Sequence, residues 1–233
     1  MLFRQLFDRD SSTYTYLIAD TSTRQAVLVD SVLEQVERDL QLIRELNLTL
    51  KYCLETHIHA DHITGTGELR DRTGCLGIVP VSAEAKCADR SIRDGEVIEL
   101  GEVEIKAIAT LGHTNSHMAY LLNGSIVLTG DALLIRGCGR TDFQNGDAGI
   151  LYDSVTNRLF TLPDETLVYP AHDYHGQIAS TIGEEKQWNP RFKRDRQDFI
   201  KLMDNLDLSF PRKMMEAVPA NQGCGQIKQA LAK

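Results

Sequence analysis

The feature that most restricts how this chain can fold is the run "ETHIHADHITG" at residues 55–65. Three of the seven histidines in the chain, together with one aspartate, lie within the six positions from His57 to His62. Imidazole and carboxylate groups are ligands that suit zinc, iron and manganese, and crowding them together is costly without a cation. The run therefore predicts a metal site, to which the fold has to bring further ligands.

The other candidate ligands follow predicted strands. His113 lies in "TLGHTNS" just after a strand, Asp131 ends the apolar strand "SIVLTGD", and His172 follows the strand "TLVYP". Side chains at the ends of buried strands converge at one edge of a layered sheet, where loops build sites on a rigid scaffold. Each residue alone has an ordinary interpretation as a surface, turn or core residue, but their joint placement favours a metal site. His117 and His175 lack this support and are interpreted as ordinary residues near the site.

The pattern of apolar residues favours an α/β architecture. Strands are predicted at "TYTYLIAD" and "AVLVDS", a helix over 32–46 that stops at Asn47, a tight hairpin at Asn123-Gly124, and a late amphipathic helix at "KRDRQDFIKLMDNL". Strand-rich halves that are each followed by helices predict two sheets packed together with helices outside. We expect one domain over 1–233, with a short C-terminal extension over about 190–233.

The composition excludes several classes of partner. A formal net charge of −8 argues against non-specific binding to nucleic acid or to a membrane surface of anionic lipids. No apolar run approaches the roughly 20 residues of a membrane span. The five cysteines are odd in number and lack paired short spacings, which predicts a reduced, cytoplasmic setting with no disulfide framework. A binding site for an anionic substrate would need a basic side chain close to the substrate.

The histidine and aspartate pattern resembles the metallo-β-lactamase superfamily, which implies a four-layer αββα sandwich of two mixed sheets flanked by helices. Two-metal members of that superfamily bind one ion through three histidines, matched here by His57, His59 and His113. Their second ion has ligands matched by Asp61, His62 and His172, and Asp131 would bridge the two ions. The ligands alone therefore predict two zinc ions that activate a water molecule for hydrolysis.

Three other segments resemble a narrower group, the persulfide dioxygenases. They are "TGDALLIRGCGRTDFQ" (129–144), "YPAHDYHG" (169–176) and "AVPANQGCG" (217–225), and the similarity covers nearly the whole chain. The resemblance implies one Fe(II) per chain, held by His57, His113 and Asp131. The remaining candidates would then surround the ligands or line the pocket: His59, Asp61, His62 and His172.

The resemblance also implies the reaction, in which glutathione persulfide, O2 and water give sulfite and glutathione, and it suggests a homodimer. A face of two histidines and one carboxylate leaves iron positions for a sulfur donor and O2, whereas zinc has no redox chemistry. Arg140 would bind a glutathione carboxylate or hold its loop through a structural ion pair. Tyr174 would donate its hydroxyl to bound sulfur or oxygen, or simply pack in the pocket. Cys138 is interpreted as a small buried residue rather than a reactive thiol.

Two alternatives stay open at this point. A zinc-dependent thioester hydrolase of the glyoxalase II type would use the same ligands, but such relatives usually carry a longer, basic C-terminal helical domain. An iron- or O2-sensing binding protein would have kept the fold without turnover. One departure from the superfamily pattern is the run Asn115-Ser116-His117, where many members have a glycine soon after the threonine.

Overall fold

The chain, described by a computed structural model over residues 1–225, divides into two compact units. The first unit contains residues 1–92 and 100–103 together with the described chain from residue 210 onward. The second unit contains residues 93–99 and 104–209. The assignment of one domain with a C-terminal extension stays a prediction.

The first unit is built on a mixed sheet of six strands in the order β1-β2-β3-β4-β5-β6. Strands β1 to β3 are antiparallel neighbours, whereas β3 to β6 run parallel. Strand β2 buries all seven of its residues, as expected for a strand covered on both faces. The strands are β1 (Leu2–Asp8), β2 (Thr13–Ala19), β3 (Gln25–Val29), β4 (Thr49–Leu54), β5 (Leu76–Pro80) and β6 (Arg90–Ile92).

One helix of the first unit lies within its predicted span, and a second, short helix follows the histidine-rich run. Helix α1 (Val36–Glu45) buries Val36, Leu40 and Ile43, which lie on one face at helical spacing. A 3₁₀ turn at residues 33–35 precedes it, so the α-helix begins later than the pattern suggested. Helix α2 (Thr66–Thr73) ends at a glycine, Gly74, with a φ of 73°.

The second unit is built on a sheet with the strand order β12-β11-β10-β9-β8-β7. Strands β10 and β11 are parallel, and the pairs β8/β9, β9/β10 and β11/β12 are antiparallel. The predicted hairpin joins β9 to β10, with positive φ at both Asn123 and Gly124. The strands are β7 (Val97–Leu100), β8 (Val103–Ala109), β9 (Met118–Leu122), β10 (Ile126–Gly130), β11 (Leu167–Pro170) and β12 (Ser180–Thr181).

Helices of the second unit share one apolar core with its sheet, in which Leu151, Val168 and Phe199 are fully buried. These helices are α3 (Ala148–Ser154), α4 (Ile182–Trp188) and α5 (Arg196–Asp204). Helix α5 lies within the predicted late helix, and its N-terminus is capped by Asp195, whose side chain accepts a hydrogen bond from the Asp198 N–H.

Helix α6 (Met214–Gln222) belongs to the first unit and was not predicted, because Pro219 lies inside it and its apolar residues show little helical periodicity. The prediction of no disulfide was also wrong, because Cys87 and Cys224 are bonded across 137 residues. Only the fold reveals this pairing, since such a sequence separation carries no spacing signal. None of the helices within residues 1–225 is long and apolar enough to cross a membrane.

Candidate metal centre

The first unit places its candidate ligands after two neighbouring parallel strands. Asp30 directly follows β3, Glu55 directly follows β4, and the segment that we call the histidine loop, residues 57–62, comes next. The C-terminal ends of parallel neighbours meet at the same edge of a sheet, so the Asp30 and Glu55 carboxylates lie beside the loop. Both side chains are almost completely buried.

Asp30 orients two histidines of the loop. One of its carboxylate oxygens accepts hydrogen bonds from the Thr56 N–H, at 2.7 Å, and from His59 Nε2, at 3.0 Å. The other oxygen accepts from the Thr56 hydroxyl at 2.9 Å, and the oxygen of that hydroxyl lies 3.0 Å from His57 Nδ1. Because the hydroxyl proton goes to Asp30, Nδ1 of His57 donates to the threonine oxygen, and Nε2 carries the ring's lone pair.

His59 lies between two buried carboxylates. Its Nε2 is 3.0 Å from Asp30 and 3.4 Å from Glu55. Burial alone would lower the pKa of His59, but the two carboxylates outweigh that effect and hold the pKa well above its ordinary value. Among the described residues, Nδ1 of the same ring has no hydrogen-bond partner.

Asp61 and His62 form a second pair within the histidine loop. One Asp61 oxygen lies 2.8 Å from His62 Nδ1 and accepts a hydrogen bond from the Thr13 hydroxyl at 3.1 Å. His62 Nε2 is buried and finds no hydrogen-bond partner in residues 1–225. His59, Asp61 and His62 each offer a ligand atom within 4.8 Å of the others, so this group also has the composition of a cation site.

The second unit places His113 just after β8. Its Nδ1 donates a hydrogen bond to the Arg140 carbonyl oxygen at 2.7 Å, so Nε2 carries the lone pair. That Nε2 lies 3.4 Å from an Asp131 oxygen. A lone pair and a carboxylate that face each other repel unless a proton or a cation lies between them, and this pair therefore fits a metal ion.

Two glycines permit this approach. A Cβ atom at Gly139 would lie 2.6 Å from both His113 Nδ1 and the Asp131 carbonyl oxygen. A Cβ atom at Gly112, where φ is +121°, would lie 2.2 Å from the backbone nitrogen of Leu151. The absence of a side chain at both positions thus lets the His113 segment pack closely against its neighbours.

Asp131 follows β10, and its backbone N–H is held by His117, a residue that the sequence pattern does not mark as part of the site. The Asp131 N–H donates to His117 Nε2 at 3.0 Å, and His117 Nδ1 lies 2.8 Å from the Thr110 hydroxyl. One Asp131 carboxylate oxygen is buried without a hydrogen-bond partner among the described residues, and it lies 3.7 Å from His172 Nε2. An oxygen in this state is suited to a metal ion.

The remaining predicted residues lie in the loops after Asp131 and His172. Arg140 makes a two-point ion pair with Asp142, at 2.6 and 2.7 Å, and this pair lowers the pKa of Asp142. Tyr174 is exposed, and its ring stacks on His172 with 6.0 Å between ring centroids. Cys138 is buried, and burial raises the pKa of its thiol to about 11, as expected for an unreactive cysteine.

Each unit thus brings its own predicted residues together. The first unit gathers His57, His59, Asp61 and His62, and the second gathers His113, Asp131 and His172. Sequence reasoning missed the residues that orient them, which are Thr13, Asp30, Glu55 and His117. Asp30 carried a usable signal, because it ends the apolar strand "AVLVD" as Asp131 ends "SIVLTGD". Thr13 and Glu55 carried none.

Comparison with known proteins gives matches over most of the chain. The model of the metallo-β-lactamase superfamily matches residues 8–172. The persulfide dioxygenase ETHE1 of Mus musculus, described as mitochondrial, is 51% identical over 97% of this chain and 89% of its own length. The crystal structure of ETHE1 from Myxococcus xanthus superposes with a TM-score of 0.95, at 56% identity, over 97% of this chain and all of that one.

A hydrolytic relative matches less of the chain. The hydroxyacylglutathione hydrolase of Prochlorococcus marinus strain MIT 9301 is 40% identical over 157 residues, which are 65% of this chain and 61% of the hydrolase. The matches to the persulfide dioxygenases extend over 97% of the sequence.

Proposed function

Since the chain belongs to the persulfide dioxygenases of the metallo-β-lactamase superfamily, we propose that it oxidises glutathione persulfide with O2 and water to sulfite and glutathione at one Fe(II). The expected fold class is confirmed, with two mixed sheets flanked by helices. The observation that carries the function is the identity of about half of all residues to persulfide dioxygenases over 97% of the chain.

We propose His57, His113 and Asp131 as the ligands. The tautomers support this choice, because the Nδ1 atoms of both histidines have oxygen partners that leave the lone pair on Nε2. Two imidazoles and a carboxylate are the ligand set typical of non-haem Fe(II) oxygenases. Iron bound there would supply open coordination positions for the persulfide and O2, and the outer persulfide sulfur would provide the electrons that reduce O2 as it is oxidised to sulfite. The protein's part is to hold the two reactants side by side, which removes much of the entropic barrier.

The unused candidates have hydrogen bonds of the same kind, because the Asp30 and Asp61 contacts leave His59 Nδ1 and His62 Nε2 buried and without a partner among the described residues. His59 donates to Asp30, and Asp61 accepts from Thr13. One metal is proposed over two because of the identity to persulfide dioxygenases over 97% of the chain, and not because of these hydrogen bonds. His59, Asp61, His62 and His172 are therefore proposed to surround the ligands and shape the pocket.

Arg140 and Tyr174 are proposed to contact the substrate. For Arg140 to bind a glutathione carboxylate, the substrate would replace Asp142 in the two-point ion pair, an exchange of one carboxylate for another. Tyr174 is exposed beside His172, where its hydroxyl would donate a hydrogen bond to the persulfide sulfur or to oxygen. The homodimer stays a prediction.

The cytoplasmic location also stays a prediction. It was inferred from the absence of a disulfide framework, and the Cys87–Cys224 bond removes that support. The mammalian relatives are described as mitochondrial, which is a property of those proteins.

The decisive experiment combines oxygen consumption with metal analysis. Protein purified without added metal should contain about one iron per chain and consume O2 when glutathione persulfide is supplied. S-lactoylglutathione, offered without O2, should not be hydrolysed. Two zinc ions per chain with thioester hydrolysis would support the glyoxalase II alternative, and bound iron without turnover would support a sensor.

A further inference from the structure

Helix α6 of the first unit anchors the histidine loop through one buried side chain, Asn221. The Asn221 amide group donates to the carbonyl oxygens of His59 and His62, each at 2.9 Å, and its oxygen accepts from the Thr64 N–H at 2.8 Å. Three backbone groups of the loop and its exit are thus satisfied by one residue that lies 162 positions from His59. Asn221 is 3% exposed, so water cannot replace these bonds without movement of the helix.

The chain continues this contact immediately after helix α6. The Cys224 carbonyl oxygen accepts a hydrogen bond from the Gly67 N–H at 2.9 Å. A Cβ atom at Gly225 would lie 2.0 Å from the Thr64 carbonyl oxygen. Asn221, Cys224 and Gly225 therefore all contact the segment that follows the histidine loop, at Thr64 and Gly67.

A disulfide bond cross-links the same segment, residues 221–225, to another loop of the first unit. Cys224 is bonded to Cys87, which lies in the loop after β5, and this bond cross-links the end of helix α6 to that loop. A cross-link stabilises a structure chiefly by restricting the alternatives open to the unlinked chain. Here the cross-link restricts movement of α6, and of Asn221 within it, away from the histidine loop.

The two cysteines of the disulfide differ in their exposure to the surroundings. Cys87 lines an open cavity of about 1110 Å³, together with Val79, Lys86 and Pro219. Cys224 is 2% exposed and is not among the residues that line this cavity. Because Cys87 is partly exposed and lines this cavity, its sulfur is the one that a small thiol would attack, and the sulfur of the buried Cys224 is the one that would leave.

We infer that the Cys87–Cys224 disulfide is an exchange site for a small thiol such as glutathione, and that its opening releases the hold of Asn221 on the histidine loop. The attacking thiolate forms a new bond to the Cys87 sulfur, and the Cys87–Cys224 bond breaks. Cys224 leaves as a thiolate and takes up the proton that the incoming thiol lost. No external oxidant or reductant is needed, because the exchange conserves one disulfide and one thiol.

The inference deepens the proposed function, since glutathione is the thiol that this reaction would release with sulfite. Accumulated product would then act on the loop that carries a metal ligand. The exchange and its effect on the loop do not require the metal to be iron, so they can be tested independently of turnover.

The first test treats the purified protein with reduced glutathione. Intact mass should show one added glutathionyl group, peptide mapping should place it on Cys87, and iodoacetamide should newly label Cys224. A Cys87→Ser variant should form no adduct at that position. An unmodified wild-type protein after prolonged exposure would overturn the inference.

The second test follows hydrogen exchange at two reporter amides. The Thr64 N–H donates to Asn221 and the Gly67 N–H donates to Cys224, so both should exchange about tenfold faster in the glutathionylated protein and in Cys87→Ser. The Asp30 N–H, which donates to the Leu54 carbonyl oxygen, should keep its rate. An adduct on Cys87 with unchanged rates at both reporters would show that the disulfide does not control the loop.

A matched pair of variants separates the asparagine from the disulfide. Asn221→Ala should accelerate exchange at Thr64 while the disulfide remains intact. Gln222→Ala, at the exposed neighbouring position, should leave that rate unchanged. Equal effects of the two variants would contradict the role of Asn221. A protein that passes these tests but consumes no O2 would count against the proposed function alone.

Discussion

The imidazole of His117 accepts a hydrogen bond from the backbone N–H of Asp131 through Nε2, over a distance of 3.0 Å. His117 is itself held by the Thr110 hydroxyl, and all three residues lie within the second unit. The contact fixes the backbone that carries a proposed carboxylate ligand without contributing a ligand atom.

Replacement of His117 should therefore weaken metal binding. For His117→Ala we expect a metal dissociation constant raised by about 10-fold, the lower end of the effect of losing an orienting partner. The measurement is competition with a fluorescent chelator. His175→Ala, at an exposed position in a neighbouring loop, should bind as the wild type does. Unchanged affinity in both variants would mean that the backbone at Asp131 needs no such support.

Removal of Asp30 should affect two histidines at once. In Asp30→Asn, His59 loses a charged acceptor and the hydrogen-bond chain through Thr56 to His57 is weakened, so we expect a loss of metal affinity of about 10- to 100-fold. Asp20→Asn is the control, because Asp20 is also a buried carboxylate but accepts from Ser22 and Thr23 instead. Similar metal affinities for the two variants would contradict this role.

The ligand set predicts different metal contents for two histidine variants. His113→Ala should retain little iron, because two remaining ligands seldom hold Fe(II). His59→Ala should keep about one iron per chain, since His59 is not proposed as a ligand. Elemental analysis of protein purified without added metal distinguishes them, and equal loss in both would require a new assignment.

Two glycine-to-alanine variants, one of them a control, test the close packing around His113. The Cβ atom of Gly139→Ala would lie 2.6 Å from His113 Nδ1, so the His113–Arg140 bond should be disrupted. For Gly139→Ala we expect a free energy of unfolding lower by about 2 kcal/mol and reduced metal content. For Gly137→Ala, where the nearest atom would lie at 3.8 Å, both quantities should stay close to the wild type. Chemical denaturation gives the first quantity and elemental analysis the second.

Asp39 should make stability depend on pH. Burial raises the pKa of Asp39 to about 6, an effect that Arg38 only partly offsets. The folded protein therefore holds this proton more tightly than the unfolded chain, and this group's contribution to the free energy of unfolding falls as pH rises from about 4 to about 6.

Asp39→Asn should remove that dependence. The variant should be more stable than the wild type by about 2–3 kcal/mol at pH 7, and the difference should vanish near pH 4. Urea denaturation at both pH values measures it. Glu45→Gln, on the exposed side of the same helix, should show no such change between the two pH values. A constant difference between wild type and Asp39→Asn would contradict the raised pKa.

The amphipathic patterns were sufficient for much of the fold. The spacing of Val36, Leu40 and Ile43 identified helix α1, and Asn123-Gly124 identified a hairpin, because both signals are local. Helix α6 was missed, since its contacts are made with residues far away in the sequence and Pro219 masks it.

For the candidate site, too, only the features with a local signal could be predicted from the sequence. The predicted ligands were visible because they are unusual residue types at strand ends. Apart from Asp30, which ends an apolar strand, their partners could not be identified from the sequence, since an asparagine or a threonine is common anywhere in a sequence. Asn221 and Thr13 acquire their roles only when the fold brings them to the histidine loop. The Cys87–Cys224 bond was missed for the same reason.

The position of Asn221 has a consequence for biosynthesis. The ribosome completes the histidine loop early, but the side chain that fixes its carbonyl groups is added 162 residues later than His59. During translation the carbonyl groups of the histidine loop therefore lack their hydrogen bonds to Asn221 while the first strands fold. Delivery of the metal is thus expected to follow synthesis of the chain rather than accompany it.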